Sequence, residues 1–182
     1  MSPKAPSRRC VVLIGFMGAG KTTVGRALAK GLRCRFLDLD DVIQQRERKS
    51  VAEIFASSGE AVFRRMESAA LNALLDDVEG DLVLSLGGGA FVQKENRVAL
   101  DRAGAVTVLL EAPFEELRRR CDREGKARPL AEEPVKFAEL FAARRADYAL
   151  AQHTVHTLDK KVKQVAAEIA RLLKGTNVEV EK

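Results

Sequence analysis

One stretch near the start of the chain constrains the fold more than any other. Residues 11–14 are Val-Val-Leu-Ile, an apolar run typical of a strand buried on both faces, and GFMGAGKT follows at residues 15–22. The spacing Gly-x4-Gly-Lys-Thr is the phosphate-binding loop (P-loop) pattern. An amphipathic helix, predicted over residues 22–32, would point its positive end at the same place. These features predict a strand, a phosphate-binding turn and a helix in succession.

The residue types in this loop have physical reasons. Gly15, Gly18 and Gly20 permit the unusual backbone angles that turn N–H groups inward, and they place no Cβ in the way of a phosphate. Lys21 would bring an ammonium group to the β and γ phosphates, and the Thr22 hydroxyl can ligate Mg²⁺. A chance glycine turn before a helix is the alternative, and the buried-type strand and amphipathic helix on either side argue against it.

Composition limits the remaining function classes. The chain has 182 residues, enough for one domain, with 46% hydrophobic and 31% charged residues, as in globular proteins. The net charge of +5 suits ATP; the basic residues are spread along the chain, and only one Tyr and no Trp are present to stack on nucleic acid. Three widely spaced cysteines predict neither disulfides nor a zinc site. We expect a cytoplasmic monomer with no signal peptide and no nucleic-acid or membrane partner.

Strand and helix patterns alternate along the chain. Strands are predicted at residues 10–14, 35–38, 82–86, 105–110 and 153–157. Helices are predicted at residues 22–32, 42–48, 94–102, 113–121, 134–150 and 160–173, with two further helix starts at the capping boxes Ser50-x-x-Glu53 and Ser57-x-x-Glu60, the second running to about residue 75. This alternation predicts an α/β fold, with a parallel sheet flanked by helices on both faces.

Three carboxylates follow the second predicted strand: Asp38, Asp40 and Asp41. Ligands of open α/β sheets bind at the carboxyl ends of strands, and two residues at i and i+2 of an extended segment share a face. Asp38 and Asp40 therefore have two tasks available, holding Mg²⁺ and accepting a proton from a hydroxyl. The alternative is that they cap the next helix, a task that fits Asp41 better.

Glycines and arginines supply further candidates. Three glycines at residues 87–89, after the third strand, indicate that another group approaches the backbone closely; a plain flexible turn is the alternative. Arg64-Arg65 and Arg144-Arg145 lie on predicted helices, where either pair could be solvated.

The polar stretch at about residues 122–133 contains Gly125 and Pro129 and lacks apolar periodicity. It predicts a mobile lid whose Arg128 could reach a transferring phosphate. The run at residues 118–120, three arginines, fits a solvated helix face, although one member could stack on adenine. His153 and His156 are interpreted as structural.

Several motifs occur together in one order: GFMGAGKT (15–22), FLDLD (36–40), FRRME (63–67), LGGG (86–89), RPL (128–130) and ARRADY (143–148). In this combination the chain resembles the shikimate kinase family over about residues 11–173. The resemblance implies a P-loop three-layer fold like that of nucleoside monophosphate kinases, with five parallel strands in the order 2-3-1-4-5 and a mobile lid. It also implies an enzyme that uses Mg²⁺ and ATP to phosphorylate the 3-hydroxyl of shikimate, on the route to chorismate and aromatic amino acids.

On the nucleotide side, the resemblance implies that Mg²⁺ binds Thr22 with Asp38 nearby, and that Lys21 and Arg128 stabilise the transferring phosphoryl group. The adenine contact is left open between Arg119 and Arg120, with the segment at residues 159–161 nearby. The residues implied to hold the phosphates are Gly18, Ala19, Gly20, Lys21, Thr22 and Thr23.

On the acceptor side, the resemblance implies that Asp40 binds shikimate hydroxyls and acts as the base. Arg64 and Arg145 would bind the shikimate carboxylate in bidentate pairs, and Gly88 would offer its backbone. The whole chain, residues 1–182, would form one kinase domain. The regions implied are a substrate-binding helical insert at about 40–75, the lid at about 122–133, and loose tails at 1–9 and 176–182.

Two other functions remain open from the sequence. One is a kinase of another small polyol or acid such as gluconate, against which Arg64, the glycine triplet and Arg145 argue jointly. The other is a nucleotide-binding protein without catalysis, in which Asp40 and Arg128 would have no task.

Overall fold

A computed structural model describes residues 9–77, 79–124 and 134–175 of the chain. Its centre is a five-stranded sheet in which all neighbouring strands are parallel, in the order β2-β3-β1-β4-β5. This order and the α/β architecture confirm the predicted fold. The strands are β1 (Cys10–Ile14), β2 (Arg35–Asp38), β3 (Leu82–Ser85), β4 (Val106–Glu111) and β5 (His153–His156).

Helices flank the sheet at the positions where apolar residues recur with helical spacing. The first and last of them, α1 and α7, pack against each other. A short 3-10 helix at Ala90–Val92 follows the glycine triplet. The α-helices are α1 (Lys21–Leu32), α2 (Leu39–Glu47), α3 (Val51–Asp77), α4 (Lys94–Arg102), α5 (Phe114–Glu124), α6 (Pro134–Tyr148) and α7 (Val162–Gly175).

The central strands form the core because they are apolar on both faces. Every residue of β1 and β3 is buried, as expected for inner strands of a parallel sheet covered on both sides. The register pairs Asp38 of β2 with Ser85 of β3, and Leu13 of β1 also pairs with Ser85. The carboxyl ends of β2, β3 and β1 therefore lie side by side, and the three segments that follow them meet at one edge of the sheet.

The structure corrects the predicted geometry of the carboxylates. Helix α2 begins at Leu39 rather than near residue 42, so Asp40 lies in the first helical turn and not beside Asp38 on an extended segment. Asp38 is the N-cap, with its Oδ1 accepting a hydrogen bond of 3.1 Å from the Asp40 N–H. The prediction that Asp41 fits the capping task best was therefore wrong, because the strand passes into the helix without a loop.

Two other local predictions have mixed outcomes. The Ser50/Glu53 capping box forms: the Ser50 N–H donates to Glu53 Oε2 at 2.7 Å, and the Glu53 N–H donates to Ser50 Oγ at 3.2 Å. The second box, at Ser57, is not what interrupts the helix. The helix is interrupted at Gly59, where φ is 77° and ψ is 168°. The Glu60 carboxylate does not form the capping box and accepts a hydrogen bond from Arg64, one turn further on.

The predicted lid and tails overlap the described residues only at their edges. Asp122 belongs to α5, which continues to Glu124, while Arg128 and residues 125–133 lie outside the described part, as do residues 1–8 and 176–182. Arg9 was assigned to a loose tail, but its N–H and guanidinium bind the Asp81 carboxylate at 2.9 and 2.7 Å. Across the described ranges, no helix combines the length and apolar character needed to cross a membrane.

Candidate active site

The loop after β1 has the backbone that its glycines predict. Gly15, Gly18 and Gly20 have φ angles of 153°, 76° and 85°, values that side-chain-bearing residues rarely adopt. A Cβ at Gly18 would lie 2.5 Å from the Leu117 carbonyl oxygen of α5, so α5 packs directly on the loop. Gly20 is also the N-cap of α1, which places the positive end of that helix at the loop.

The polar side chains of this loop stay close to it. Lys21 Nζ donates to the carbonyl oxygens of Gly15 at 2.8 Å and Phe16 at 3.1 Å, so the ammonium group lies across the loop. Thr22 Oγ1 donates to Asp38 Oδ2 at 2.8 Å and thereby joins the start of α1 to the end of β2. Ala19 is buried, whereas Thr23 is exposed in the first turn of α1.

The Thr22–Asp38 pair suits one kind of metal ion. Among the described residues, no group of three His, Cys, Asp or Glu side chains converges as a metal site. A hydroxyl and a carboxylate beside a phosphate loop are hard oxygen donors, and Mg²⁺ commonly binds one or two such groups, with water and substrate phosphates completing its shell. Thr22 and Asp38 therefore fit a Mg²⁺ ion that is also bound to the phosphates of a nucleotide.

Two carboxylates approach the first residue of the glycine triplet. A Cβ at Gly87 would lie 2.6 Å from Asp40 Oδ1 and 3.0 Å from Glu67 Oε1. Asp40, from the first turn of α2, and Glu67, from the middle of α3, therefore face the same short stretch of backbone. The close approach that the three glycines predict is confirmed at this position.

Arginines approach the other two glycines. Side chains at Gly89 would overlap the guanidinium of Arg64, and a Cβ at Gly88 would lie 2.8 Å from Arg144 Nη1. Arg145 is exposed on the surface of α6, so the structure brings Arg144 and not Arg145 to the triplet. The two candidates are adjacent in sequence, and only the rotation of α6 against the triplet distinguishes them.

Glu67 belongs to the site, although sequence reasoning did not single it out. Its side chain is fully buried, and Oε2 accepts hydrogen bonds from Arg64 Nη1 at 2.8 Å and Gln93 Nε2 at 3.0 Å. Oε1 accepts no hydrogen bond from the described residues. Burial raises the pKa of Glu67 above its usual value; the Arg64 guanidinium opposes this shift and the nearby Asp40 adds to it.

A signal for Glu67 was present in the sequence. Phe63, Ala70 and Leu74 form the buried face of α3, and Glu67 lies within that helical spacing. A carboxylate on an apolar helical face is costly unless it is paired, so its presence indicates a buried partner. Arg64, one turn earlier, is that partner.

The raised pKa of Glu67 predicts a pH-dependent difference between wild type and Glu67→Gln. The unfolded chain loses the proton near the ordinary pKa of 4.5, whereas the folded chain keeps it to a higher pH. The wild type should therefore lose stability relative to Glu67→Gln as pH rises from 4.5 to the folded pKa, with a constant difference above it. Urea unfolding of both proteins between about pH 3 and about pH 8 measures this difference.

Glu53→Gln is the matched control, because hydrogen bonds from Ser50 lower the pKa of Glu53 in the folded chain. Here the wild type should gain stability over the variant as pH rises towards 4.5, and the difference should be constant above that value. Slopes of the same sign for both pairs would contradict the assignment of a buried, proton-retaining Glu67.

Arg120 was interpreted as part of a solvated helix face, and the structure corrects this. Its guanidinium donates to Thr157 Oγ1 at 2.9 Å and to the Thr157 carbonyl at 3.1 Å, and Nη1 lies 3.5 Å from the Gly18 carbonyl. The Arg119 side chain is 53% exposed and pairs with Glu116. Of the two arginines proposed for the adenine contact, Arg120 is the one beside the phosphate loop.

The structure has a P-loop at the centre of a 2-3-1-4-5 parallel sheet, and carboxylate and guanidinium groups surround a neighbouring glycine turn. This combination defines a P-loop phosphotransferase. A family model described as shikimate kinase matches residues 17–174. The chain belongs to the shikimate kinase family.

Individual relatives agree with this membership. A shikimate kinase of Geobacter metallireducens is 43% identical over 175 residues, covering 94% of this chain and 96% of the relative. A solved structure of Acinetobacter baumannii shikimate kinase in complex with shikimate has a TM-score of 0.85 and 34% identity, covering 96% of this chain and 100% of that one. A gluconokinase from Sinorhizobium meliloti has a TM-score of 0.59 at 16% identity, covering 94% of this chain and 97% of that one, and shares the fold alone.

Proposed function

We propose that this protein transfers the γ-phosphate of ATP to the 3-hydroxyl of shikimate, giving shikimate 3-phosphate and ADP on the route to chorismate. The observation that carries the proposal is the meeting of Arg64, Arg144 and Asp40 at the glycine triplet beside the P-loop. Two guanidinium groups suit an acceptor with a carboxylate, and a carboxylate on the same pocket suits its hydroxyls. The family membership supports the same reaction.

The nucleotide would bind along the loop at residues 18–23, whose amides and Lys21 would contact its phosphates. Thr22 and Asp38 would hold Mg²⁺, which offsets phosphate charge when it is bound. Arg120 would contact the base, since its bonds to Thr157 hold it at the edge of the loop. Arg128, which lies outside the described residues, remains our candidate for a second cation at the transferring phosphoryl group.

The acceptor would bind at the glycine triplet. Arg64, held by Glu67, and Arg144 would bind the carboxylate of shikimate, and the Gly88 backbone would contact the ring substituents. The resemblance implied that Arg145 binds the shikimate carboxylate, and we assign this role to Arg144 instead. Asp40, which approaches Gly87, would bind the hydroxyls.

Asp40 would accept the proton of the 3-hydroxyl as that oxygen attacks the γ-phosphorus. The bond between the phosphorus and the β–γ bridging oxygen breaks, and the electron pair remains on ADP. Lys21, whose ammonium group lies at the loop, would stabilise the charge that develops on this leaving oxygen. The chain's other task is to align hydroxyl and phosphate in line, which the adjacent ends of β1, β2 and β3 make possible.

The test is ADP release, measured in a coupled assay with shikimate, gluconate, AMP or no acceptor. We expect turnover with shikimate and none above background with the other three. Activity only with gluconate or AMP would refute the proposed acceptor. ATP binding without activity towards any acceptor would favour a non-catalytic nucleotide-binding protein.

The choice between the two neighbouring arginines gives a direct prediction. Arg144→Met should raise the KM for shikimate by about thirtyfold or more, because removing one partner of a close charge pair typically costs about 2–5 kcal/mol. The KM for ATP should change by less than about twofold, since the P-loop is untouched. Arg145→Met is the matched control and should leave both constants near wild type. The reverse pattern would restore the role to Arg145.

A further inference from the structure

The turn after β3 is held by separate hydrogen bonds to its backbone carbonyl oxygens. The Ala90 N–H donates to the Gly87 carbonyl at 3.1 Å, and the Val92 N–H donates to the Gly89 carbonyl at 3.2 Å. Side chains from α4 and α6 bind the others: Tyr148 Oη donates to Gly88 O at 2.5 Å, Asn96 Nδ2 to Ala90 O at 2.9 Å, and Arg97 Nη1 to Phe91 O and Val92 O, both at 2.7 Å. Every carbonyl from Gly87 to Val92 therefore accepts a hydrogen bond.

Such restraint has a physical reason here. Three consecutive glycines have more conformational freedom to lose on folding than any other residues. A binding surface made from their backbone would have to be ordered each time a ligand binds unless the protein holds it in place beforehand. The restraints on this turn come largely from outside it.

Tyr148 supplies the restraint on the central glycine. It lies at the end of α6, is 4% exposed, and its hydroxyl is the hydrogen-bond donor to Gly88 O. Burial raises the pKa of Tyr148 above its usual value of 10, so the phenol keeps its proton and remains a donor at neutral pH. Arg144 lies one turn earlier on the same helix and contacts the same glycine.

An ion pair supplies the restraint on the far side of the turn. Arg97 Nη1 contacts the carbonyl oxygens of Phe91 and Val92 and also lies 3.0 Å from Asp147 Oδ1. Both side chains are largely buried, with exposed fractions of 19% for Arg97 and 28% for Asp147. Asp147 thus offsets the charge of the guanidinium and orients it towards the two carbonyls.

We propose that Tyr148 and the Arg97–Asp147 pair are positioning residues for shikimate, which hold the Gly87–Val92 turn against α6. In this arrangement α6 presents the Arg144 guanidinium and, through Tyr148, also holds the Gly88 backbone. The inference rests on the proposed function, because it assigns these residues to the shikimate pocket. Loss of a restraint should therefore weaken shikimate binding and leave ATP binding unchanged.

Tyr148→Phe is the first test, since it removes only the hydroxyl and leaves a buried carbonyl without its donor. We expect the KM for shikimate to rise about five- to tenfold, the effect typical of an unsatisfied buried acceptor, with the KM for ATP within about twofold. Thr107→Val is the matched control: it removes another buried hydroxyl, which accepts from the Gln152 N–H at 3.0 Å at a distance from the site. The control should lower the melting temperature without changing either KM.

A double-mutant cycle with Arg97→Met and Asp147→Asn is the second test. Asp147→Asn should raise the KM for shikimate by about threefold in the wild type and have no further effect when Arg97 is Met, because it acts through Arg97. Asp81→Asn, which breaks the exposed Arg9–Asp81 pair, should change neither KM. Additive effects of the two substitutions would contradict the coupled pair.

The outcomes separate the two proposals. An unchanged KM for shikimate in Tyr148→Phe, or an equal rise in the KM values for shikimate and ATP, would overturn the positioning role. A rise confined to shikimate in Tyr148→Phe and in Asp147→Asn would support it. A wild-type protein that does not phosphorylate shikimate would refute the proposed function itself.

Discussion

Replacement of Asp40 by Asn should lower turnover with shikimate by about 10²–10⁴-fold, the range typical for loss of a general base. Asn has nearly the same shape as Asp, so it preserves the packing against Gly87, but its amide cannot accept the hydroxyl proton. The affinity for shikimate should weaken as well, because a charged acceptor of its hydroxyls is lost. The affinity for ATP should stay near wild type, since the phosphate loop and Asp38 are unchanged.

Asp41→Asn is the control for this prediction, because Asp41 is an exposed carboxylate in the same first turn of α2. If Asp40 only interacts with the helix dipole, both substitutions should lower the melting temperature slightly and leave turnover intact. Turnover of Asp40→Asn within a few-fold of wild type would refute the catalytic assignment. A large fall in Asp40→Asn with normal turnover in Asp41→Asn would support it.

Replacement of Lys21 by Ala should lower turnover by about 10²–10³-fold, the effect of losing one preorganised donor to a developing charge. The ammonium group is already held at the loop by the Gly15 and Phe16 carbonyls, so little reorganisation is needed when phosphate binds. Single-turnover measurements at saturating ATP and shikimate would report the chemical step separately from binding.

The matched control is Lys30→Ala, which removes an exposed lysine in the last turn of the same helix. It should leave turnover near wild type, whereas a general effect of net charge would lower the rate in both variants. Turnover of Lys21→Ala close to that of Lys30→Ala would exclude the phosphate-binding role of this loop.

The predicted fold follows from short-range patterns in the chain. The chain has an apolar run that is buried on both faces, then glycines that need positive φ, then a helix with an apolar face. Each of these features depends on residues that are close to one another in sequence. The strands and helices, the P-loop backbone and the Ser50/Glu53 capping box are predictable for this reason. The close packing at the glycine triplet was predictable as well, because glycine is the residue that leaves room for another group.

The sequence pattern did not determine where α2 begins, and this start decides whether Asp38 and Asp40 share a face. Two carboxylates at i and i+2 share a face in a strand but not in a helix. The hydrogen bond from the Asp40 N–H to Asp38 Oδ1 begins α2 three residues earlier than predicted. Asp40 therefore points at Gly87 from a helical turn.

By itself the sequence determined the order of strands and helices, the phosphate loop, and the residue types available to the acceptor pocket. The tertiary structure decided which members of neighbouring pairs reach that pocket. Arg144 and Arg145 have the same charge and lie on the same helix. What separates them is the rotation of α6, in which Arg144 and Tyr148 both face Gly88, about sixty residues away in sequence. Glu67 likewise becomes a site residue only because α3 lies against Asp40 and Gln93. Local backbone preferences act between neighbours along the chain, whereas the choice of functional side chain depends on which faces of distant elements meet.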